Sequence, residues 1–325
     1  AAETLQLVER TAPVMVYGTL VIFCSAGFVN LNSYLMQKGM FPFAVPLVML
    51  QASFTTCMCA MLLIFRPKLF PSLTDPEHKV YLDSKFLLRR IAPVAVFFTA
   101  QLALSNVAYN YASVAFLQMI KESNLVTVYV MSVILGFEIL KFRQVSLILT
   151  LVLATLATIK GELQFEVMGL GLQGACCLCE CTKLVVQGLL LSGSGKKLDA
   201  LSYVLLISPL CLFFLLVLVA VHVTFVPLPM VELPQWSDVM NCKYLIAINV
   251  MTAFVLNLAI AFFFKHSSAM AFLLVGVAKD ALIVLACALI FEESIGSLQA
   301  VAFAMQLLLV FVWSMMKSFP EVFDL

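Results

Sequence analysis

Ten apolar segments, separated by short polar breaks, follow one another along the 325 residues of the chain. An α-helix needs about 20 apolar residues to cross the hydrocarbon core of a bilayer. Because 63% of all residues are hydrophobic and only 11% are charged, the bilayer has to serve as the main solvent. The sequence therefore predicts an all-α membrane protein, a single transmembrane domain over 1–325 with ten transmembrane helices. In chain order the segments are 13–36, 44–65, 91–111, 114–137, 145–159, 167–191, 202–226, 244–264, 269–291 and 298–316.

Lysine and arginine are distributed unequally over the loops between these segments. With ten spans, thirteen of the nineteen basic residues fall on one side of the membrane and three fall on the other. Cytoplasmic loops carry the excess of Lys and Arg, so both termini are predicted on the cytosolic-type side. The remaining three basic residues, Lys121, Lys183 and Lys279, lie inside apolar segments.

The fourth and ninth segments resemble each other. Both begin after a serine (Ser113 and Ser268), carry a lysine in the middle (Lys121 and Lys279) and end in Phe-Glu. They are five places apart in the series of helices, and with an odd number of helices per half the second half of the chain enters the membrane from the opposite side. This pattern predicts two inverted five-helix repeats, an architecture on which many carriers are built. The repeats run over about 11–160 and 167–317.

Charged residues at membrane depth cost about 2.5–3.5 kcal/mol each, and they mark functional sites or ion pairs. Lys121 is followed by Glu122 and Lys279 is followed by Asp280. Adjacent helical residues point about 100° apart, so we expect neither pair to close on itself. Two cavity-facing lysines from symmetry-related helices would form a clamp for a phosphate group. The alternative is that these charges are ion pairs that hold helices together.

A third charged group, Glu180 and Lys183, has a different spacing. Residues three apart share one face of a helix and can pair directly. Lys183 is therefore predicted either to form a structural ion pair with Glu180 or to contribute positive charge to the substrate site.

Four uncharged polar residues lie at similar depth and offer donors and acceptors for sugar hydroxyl groups. They are Asn106, Tyr109, Gln118 and Asn257. The sequence shows no catalytic grouping and no P-loop, and it predicts no metal and no cofactor. Cys176, Cys177, Cys179 and Cys181 lie on one apolar helix and are predicted to be buried apolar residues. The predicted partners are the lipid bilayer and an anionic small molecule, with no nucleic acid.

Four stretches resemble the triose-phosphate/nucleotide-sugar transporter branch of the drug/metabolite transporter superfamily. One runs from Asn106 to Lys121 and resembles the motif N…SV.F.Q..K. The others are Glu180-Cys-Thr-Lys183, then Lys197-Leu-Asp-Ala-Leu-Ser-Tyr through Ser208-Pro209, and finally Asn257-Leu-Ala with Ser268-Ala269 and Gly276-Val-Ala-Lys-Asp280. The Lys-Asp step is similar to the "KD" group of plant-type sugar phosphate/phosphate translocator-like proteins.

The resemblance implies ten helices in two inverted halves, antiport, and substrate-binding lysines at Lys121 and Lys279. Triose-phosphate translocators proper carry Lys-Arg where this chain has Lys279-Asp280, so the resemblance favours a nucleotide sugar or another sugar phosphate. Two departures from the family pattern are Ser33 after Asn32 and Leu125 in place of a proline. The missing proline predicts that the fourth helix lacks a kink.

The leading hypothesis is a secondary-active antiporter, located in the Golgi, endoplasmic reticulum or plastid envelope. It would exchange a phosphorylated sugar or nucleotide sugar against phosphate or a nucleoside monophosphate. Its substrate site would consist of charged and uncharged polar residues at membrane depth. They are Lys121, Lys183, Lys279, Asp280, Asn106, Tyr109, Gln118 and Asn257. The alternative is a non-transporting membrane subunit or scaffold that retains the fold. An enzyme is not expected.

Overall fold

The computed structural model describes residues 2–37, 39–75, 87–136, 139–163, 165–192, 198–225, 231–266, 269–290 and 292–318. Outside these ranges lie Lys197, Ser268, Phe137, Glu138 and Phe291, the last three from the two Phe-Glu steps. Every regular element within them is helical. The α-helices are α1 (Ala2–Met36), α2 (Ala44–Phe65), α3 (Pro71–Thr74), α4 (Ala92–Ala108), α5 (Val114–Lys121), α6 (Asn124–Ile134), α7 (Phe142–Lys160), α8 (Val167–Ser192), α9 (Ala200–Thr224), α10 (Trp236–Asn241), α11 (Lys243–His266), α12 (Ala269–Leu289) and α13 (Ser297–Ser318).

All ten apolar segments form helix, and this confirms an all-α membrane protein. Seven helices of the described chain are long and apolar enough to cross a bilayer, and each is at least 18 residues long. The third segment forms a shorter helix, α4, of 17 residues. The fourth segment is divided between α5 and α6.

The division of the fourth segment lies directly after Lys121. We expected no kink here because Leu125 replaces a proline, and that expectation is wrong. The amide groups of Glu122 and Ser123 donate to carbonyls three residues earlier, which tightens the chain into a turn. The hydroxyl of Ser123 also donates to the carbonyl of Ile120 at 2.7 Å. Local hydrogen bonding thus interrupts the helix without a proline.

The chain divides into two compact units. Unit one comprises Ala1–Asn30, Tyr111–Gly174 and Ala259–Leu325, and unit two comprises Leu31–Asn110 and Ala175–Leu258. Each unit therefore takes helices from both halves of the sequence. The helices α1, α8 and α11 each contribute one end to either unit.

Unit one is built on the pairing of α7 with α13 and of α5 with α12. Gln306 of α13 donates to the hydroxyl of Thr155 at 2.8 Å, and Thr158 donates to the amide oxygen of Gln306 at 3.3 Å. The rings of Tyr129 and Trp313 meet edge to face, with 5.1 Å between their centroids. Polar side chains thus join apolar helices that have no hydrophobic reason to associate within lipid.

Unit two is built around α9, which packs against α2 and α4. Three buried amides link α1, α2 and α11 in this unit. Gln51 donates to Asn249 at 2.7 Å and to Asn32 at 3.2 Å, and Asn249 donates to Asn32 at 2.6 Å. The three side chains are 0–6% exposed. We call Asn32, Gln51 and Asn249 the amide triad.

Gln51→Leu is expected to destabilise the protein by about 1–2 kcal/mol, because two interhelical hydrogen bonds are lost within the membrane. The measurement is the thermal unfolding midpoint in detergent. Thr56→Val on the same helix is the matched control, since the Thr56 hydroxyl donates only to its own helix, at Ala52. Equal midpoints for both variants would mean that the triad contributes no more than a local bond.

Candidate functional site

A buried cluster of ionisable groups lies between α5 and α12 in unit one. The ammonium of Lys279 is 2.8 Å from Oδ1 of Asp280. The carboxyl group of Glu122, in the turn after α5, is close enough to Asp280 and Lys279 to interact electrostatically with both. Glu122 is 6% exposed and Asp280 is 9% exposed. Lys121, the last residue of α5, precedes Glu122. We call Lys121, Glu122, Lys279 and Asp280 the unit-one charge cluster.

The direct pairing of Lys279 with Asp280 corrects the expectation that neighbouring residues would not close on each other. The lysine side chain has four methylene groups and rotates freely enough to reach around the helix surface. In a low dielectric the attraction between opposite charges outweighs the cost of fixing the lysine side chain in this conformation. Asp280 is thus a neighbour of both Lys279 and Glu122.

Gln118 lies one turn before this cluster, on α5. It stands four residues before Glu122, so the two side chains share one face of the helix path. Gln118 is 1% exposed, and neither atom of its amide has a hydrogen-bond partner in the described structure. Oε1 of Glu122 likewise receives no described hydrogen bond. Buried polar atoms without partners are rare in folded proteins, which makes the Gln118 amide a candidate for binding a solute.

The other predicted site residues belong to unit two. Asn106 of α4 donates to the carbonyl of Leu102 at 2.8 Å, and its Oδ1 is buried without a described partner. Tyr109 lies in the turn after α4. Asn257 lies near the end of the unit-two part of α11. The structure therefore places Gln118, Lys121, Lys279 and Asp280 in one unit and Asn106, Tyr109, Glu180, Lys183 and Asn257 in the other.

Lys183 of α8 is half-buried and contacts an aromatic ring. Its ammonium lies 4.7 Å from the centroid of Phe98 in α4, a cation–π contact. This contact explains how an apolar environment accommodates the charge. The pairing of Lys183 with Glu180 stays a prediction.

One end of unit one is held by a carboxylate that the sequence did not single out. Glu293, in the loop before α13, accepts hydrogen bonds from the amides of Val114 at 3.4 Å and Ala115 at 3.1 Å. Ser113 accepts a hydrogen bond from the amide of Phe116 at 3.1 Å. Together Glu293 and Ser113 cap the first turn of α5, whose amides have no partner within the helix. The cap fixes the start of the helix that ends at Lys121.

Burial raises the pKa of Glu293, and the nearby carboxylate of Glu162 raises it further, whereas the hydrogen bonds from Ala115 and Val114 lower it. A carboxyl group whose pKa is raised by folding stabilises the fold when protonated. The stability that protonated Glu293 contributes is fully present at pH values below 4.5, the ordinary pKa of a glutamate. It is lost as the pH rises through the pKa that Glu293 has in the folded state. The unfolding midpoint of the wild type should therefore contain a component that decreases as the pH rises above 4.5.

Glu293→Gln should remove that component, because an amide does not titrate. The measurement is the unfolding midpoint in detergent as a function of pH, with exposed Glu166 changed to Gln as the control. If the unfolding midpoint of Glu293→Gln still decreased with pH as it does in the wild type, Glu293 would not be the source of this pH dependence.

Sequence reasoning missed the amide triad and Glu293, and it left Glu122 out of the site. Gln51 and Asn249 are polar residues inside apolar segments, and that is the signal by which the sequence could have revealed them. Glu293 lies in a loop, where a carboxylate is ordinary. Its role depends on a contact with α5, which is about 180 residues away in the chain.

The fold and these residues define a polytopic α-helical membrane protein that keeps ionisable side chains at membrane depth, which is typical of transporters. The chain belongs to the Triose-phosphate Transporter family, whose model matches residues 15–314. This confirms the resemblance found in the motifs. Because the family is one of transporters, it also confirms that the chain is a transporter and not an enzyme.

Relatives in Arabidopsis thaliana include two proteins described as probable sugar phosphate/phosphate translocators. They are 32% and 30% identical, and each match covers 82% of this chain and 73% of the relative. UDP-uronic acid transporter 1 is 25% identical over 83% of this chain and 84% of its own. A solved crystal structure has a similar fold, with 14% identity, a TM-score of 0.56, and coverage of 94% of this chain and 97% of that chain.

Proposed function

We propose that this protein is a secondary-active antiporter for a phosphorylated sugar or nucleotide sugar, exchanged against phosphate or a nucleoside monophosphate. The observation that supports it most is the unit-one charge cluster beside the unpartnered amide of Gln118. Lys121 and Lys279 would bind the phosphate group. Gln118 offers both a donor and an acceptor to the same solute.

The remaining proposed site residues would recognise other parts of the solute or adjust the charge. Asn106, Tyr109 and Asn257 offer hydrogen bonds to hydroxyl groups, and Lys183 adds positive charge. The relatives named as sugar phosphate/phosphate translocators and as a UDP-uronic acid transporter support both proposed substrate classes.

The packing of helices supports ten spans in two inverted repeats, over about 11–160 and 167–317. Three pairings within the units join helices that the repeats make equivalent. The second segment (α2) packs against the seventh (α9), the fourth (α5) against the ninth (α12), and the fifth (α7) against the tenth (α13). Such pairing of equivalent helices is expected where two halves are related by a pseudo-two-fold axis.

The test is counter-exchange by the purified protein in liposomes. Vesicles preloaded with inorganic phosphate, glucose 6-phosphate or uridine monophosphate are mixed with a labelled anion of the same set. Labelled anion should be taken up only by preloaded vesicles, and unloaded vesicles should show no uptake. Uptake that does not depend on an internal anion would exclude antiport, and the set of effective anions would identify the substrate class.

A non-transporting scaffold is the second candidate, because the ion pair between Lys279 and Asp280 is what a purely structural cluster would show. This reading leaves the buried amide of Gln118 without an explanation. The scaffold would be favoured if protein that unfolds cooperatively exchanged none of the three anions.

The excess of basic residues in alternate loops supports both termini on the cytosolic-type side. The proposed compartment is the Golgi, the endoplasmic reticulum or the plastid envelope.

A further inference from the structure

We propose that Gln101 of α4 is a specificity-determining residue, whose side-chain oxygen accepts a hydrogen bond from a hydroxyl group of the transported solute. Gln101 was not among the site residues predicted from the sequence. The inference rests on the proposed function and deepens it, because it names a group that distinguishes a sugar-bearing anion from inorganic phosphate.

The side chain of Gln101 is buried, and its oxygen lacks a donor. Gln101 is 8% exposed, and its Oε1 receives no hydrogen bond in the described part of the chain. Three other buried glutamines show the usual arrangement, in which the side-chain oxygen accepts a hydrogen bond. The donors are Tyr129 to Gln144 at 3.4 Å, Gly296 to Gln299 at 3.2 Å and Thr158 to Gln306 at 3.3 Å. A buried acceptor without a donor is rare, and a solute that brings a donor satisfies it.

The part of α4 that carries Gln101 faces α8. Phe98 stands three residues before Gln101, so the two side chains share one face of α4. The ammonium of Lys183 in α8 lies 4.7 Å from the centre of the Phe98 ring. About two turns before Lys183, the thiol of Cys176 donates to the backbone carbonyl of Gln101 at 3.5 Å. These contacts hold Gln101 and Lys183 on facing helices within unit two.

The chemistry of an amide oxygen selects the group that it can bind. Oε1 of Gln101 is an acceptor and therefore needs a donor. Fully ionised phosphate carries only acceptor oxygens, whereas each hydroxyl group of a sugar can donate. The ammonium of Lys183 can in turn donate to a neighbouring oxygen of the solute. An acceptor beside a cation thus fits the hydroxyl-bearing part of a sugar phosphate or nucleotide sugar better than it fits phosphate alone.

The first experiment separates a solute-binding residue from a residue that only holds helices together. Gln101→Met nearly keeps the shape of the side chain and removes the acceptor. Because Oε1 has no described partner, this change should leave the unfolding midpoint in detergent unchanged or raise it. A midpoint as low as that of Gln51→Leu, or protein that does not fold, would mean that Gln101 has a structural partner and would overturn the inference.

The second experiment is competition against the exchange of labelled phosphate and of labelled uridine monophosphate in liposomes. The competitors are glucose 6-phosphate, uridine monophosphate and analogues of both that lack one sugar hydroxyl. In the wild type, one such analogue should compete about 3- to 10-fold more weakly than its parent, which is the usual contribution of one neutral hydrogen bond. In Gln101→Met the same analogue and its parent should compete equally, because the acceptor for the missing hydroxyl is gone.

Thr99→Val is the matched control on the same helix. The Thr99 hydroxyl is buried and donates to the carbonyl of Ala95 at 2.7 Å, within α4. This variant should keep the wild-type difference between the analogue and its parent. The inference alone is overturned if no analogue competes more weakly than its parent in the wild type, or if the difference persists in Gln101→Met. If no anion is exchanged, or if no sugar-bearing anion competes, the proposed function is overturned as well.

Discussion

Alanine in place of Lys279 or Lys121 is expected to reduce counter-exchange by about 10- to 100-fold, which corresponds to the loss of one charged hydrogen bond to phosphate. For Lys279 the loss has a second cause. The ammonium is 2.8 Å from Asp280, and without it Asp280 and Glu122 remain as buried acidic groups. These repel an anion, so Lys279→Ala should be the more severe of the two changes.

The measurement is the initial rate of labelled phosphate uptake into phosphate-loaded liposomes, at matched protein content. Lys141→Ala is the control, since Lys141 is exposed and precedes α7. It should retain the wild-type rate. Full activity of both Lys121→Ala and Lys279→Ala would exclude a lysine clamp, whatever the substrate.

Gly161→Ala is expected to destabilise the protein by about 1–3 kcal/mol through overpacking. A Cβ atom at Gly161 would stand 2.7 Å from the amide nitrogen of Gln299 and 3.1 Å from its Cα. Gly296 is equally close, because a Cβ there would lie 2.7 Å from the carbonyl oxygen of Gly161. The obstructing atoms belong to the backbone and cannot rotate away. The start of α13 would have to move off the end of α7.

This movement should also disturb the contact between Glu162 and Gln299, whose side chains are joined by a hydrogen bond of 2.6 Å. The measurement is the unfolding midpoint in detergent. Gly171→Ala in α8 is the matched control, because nothing lies within 4 Å of the Cβ it would add. Alanine is favoured over glycine inside a helix, so this control should be neutral or slightly stabilising. Equal midpoints for the two variants would contradict the close packing of α7 and α13.

The sequence predicted the helical segments well because the bilayer imposes a simple rule. A spanning segment must be apolar, and its backbone must satisfy its own hydrogen bonds. The segment 44–65 coincides with α2, and 167–191 lies within α8. The turn after Lys121 was missed, because serine hydroxyl and amide groups can interrupt a helix where no proline does so.

The chemistry of the site was only partly visible in the sequence. Lys279 and Asp280 stood out because charges at membrane depth are costly, and the motif around them indicated the family. Their neighbours were not visible. Glu122 lies beside Asp280 only because α5 packs against α12, with more than 150 residues between them.

The sequence by itself thus determined the class of protein, the helices and the residues whose charge needs a function. Composition and hydrophobic runs are local properties, and the bilayer acts on them directly. Tertiary structure alone decided which polar groups meet, such as Glu293 with the first turn of α5 and Gln51 with Asn249. The physical reason is that hydrogen bonds and ion pairs act over a few ångströms, and helix packing brings together residues that are far apart in the chain.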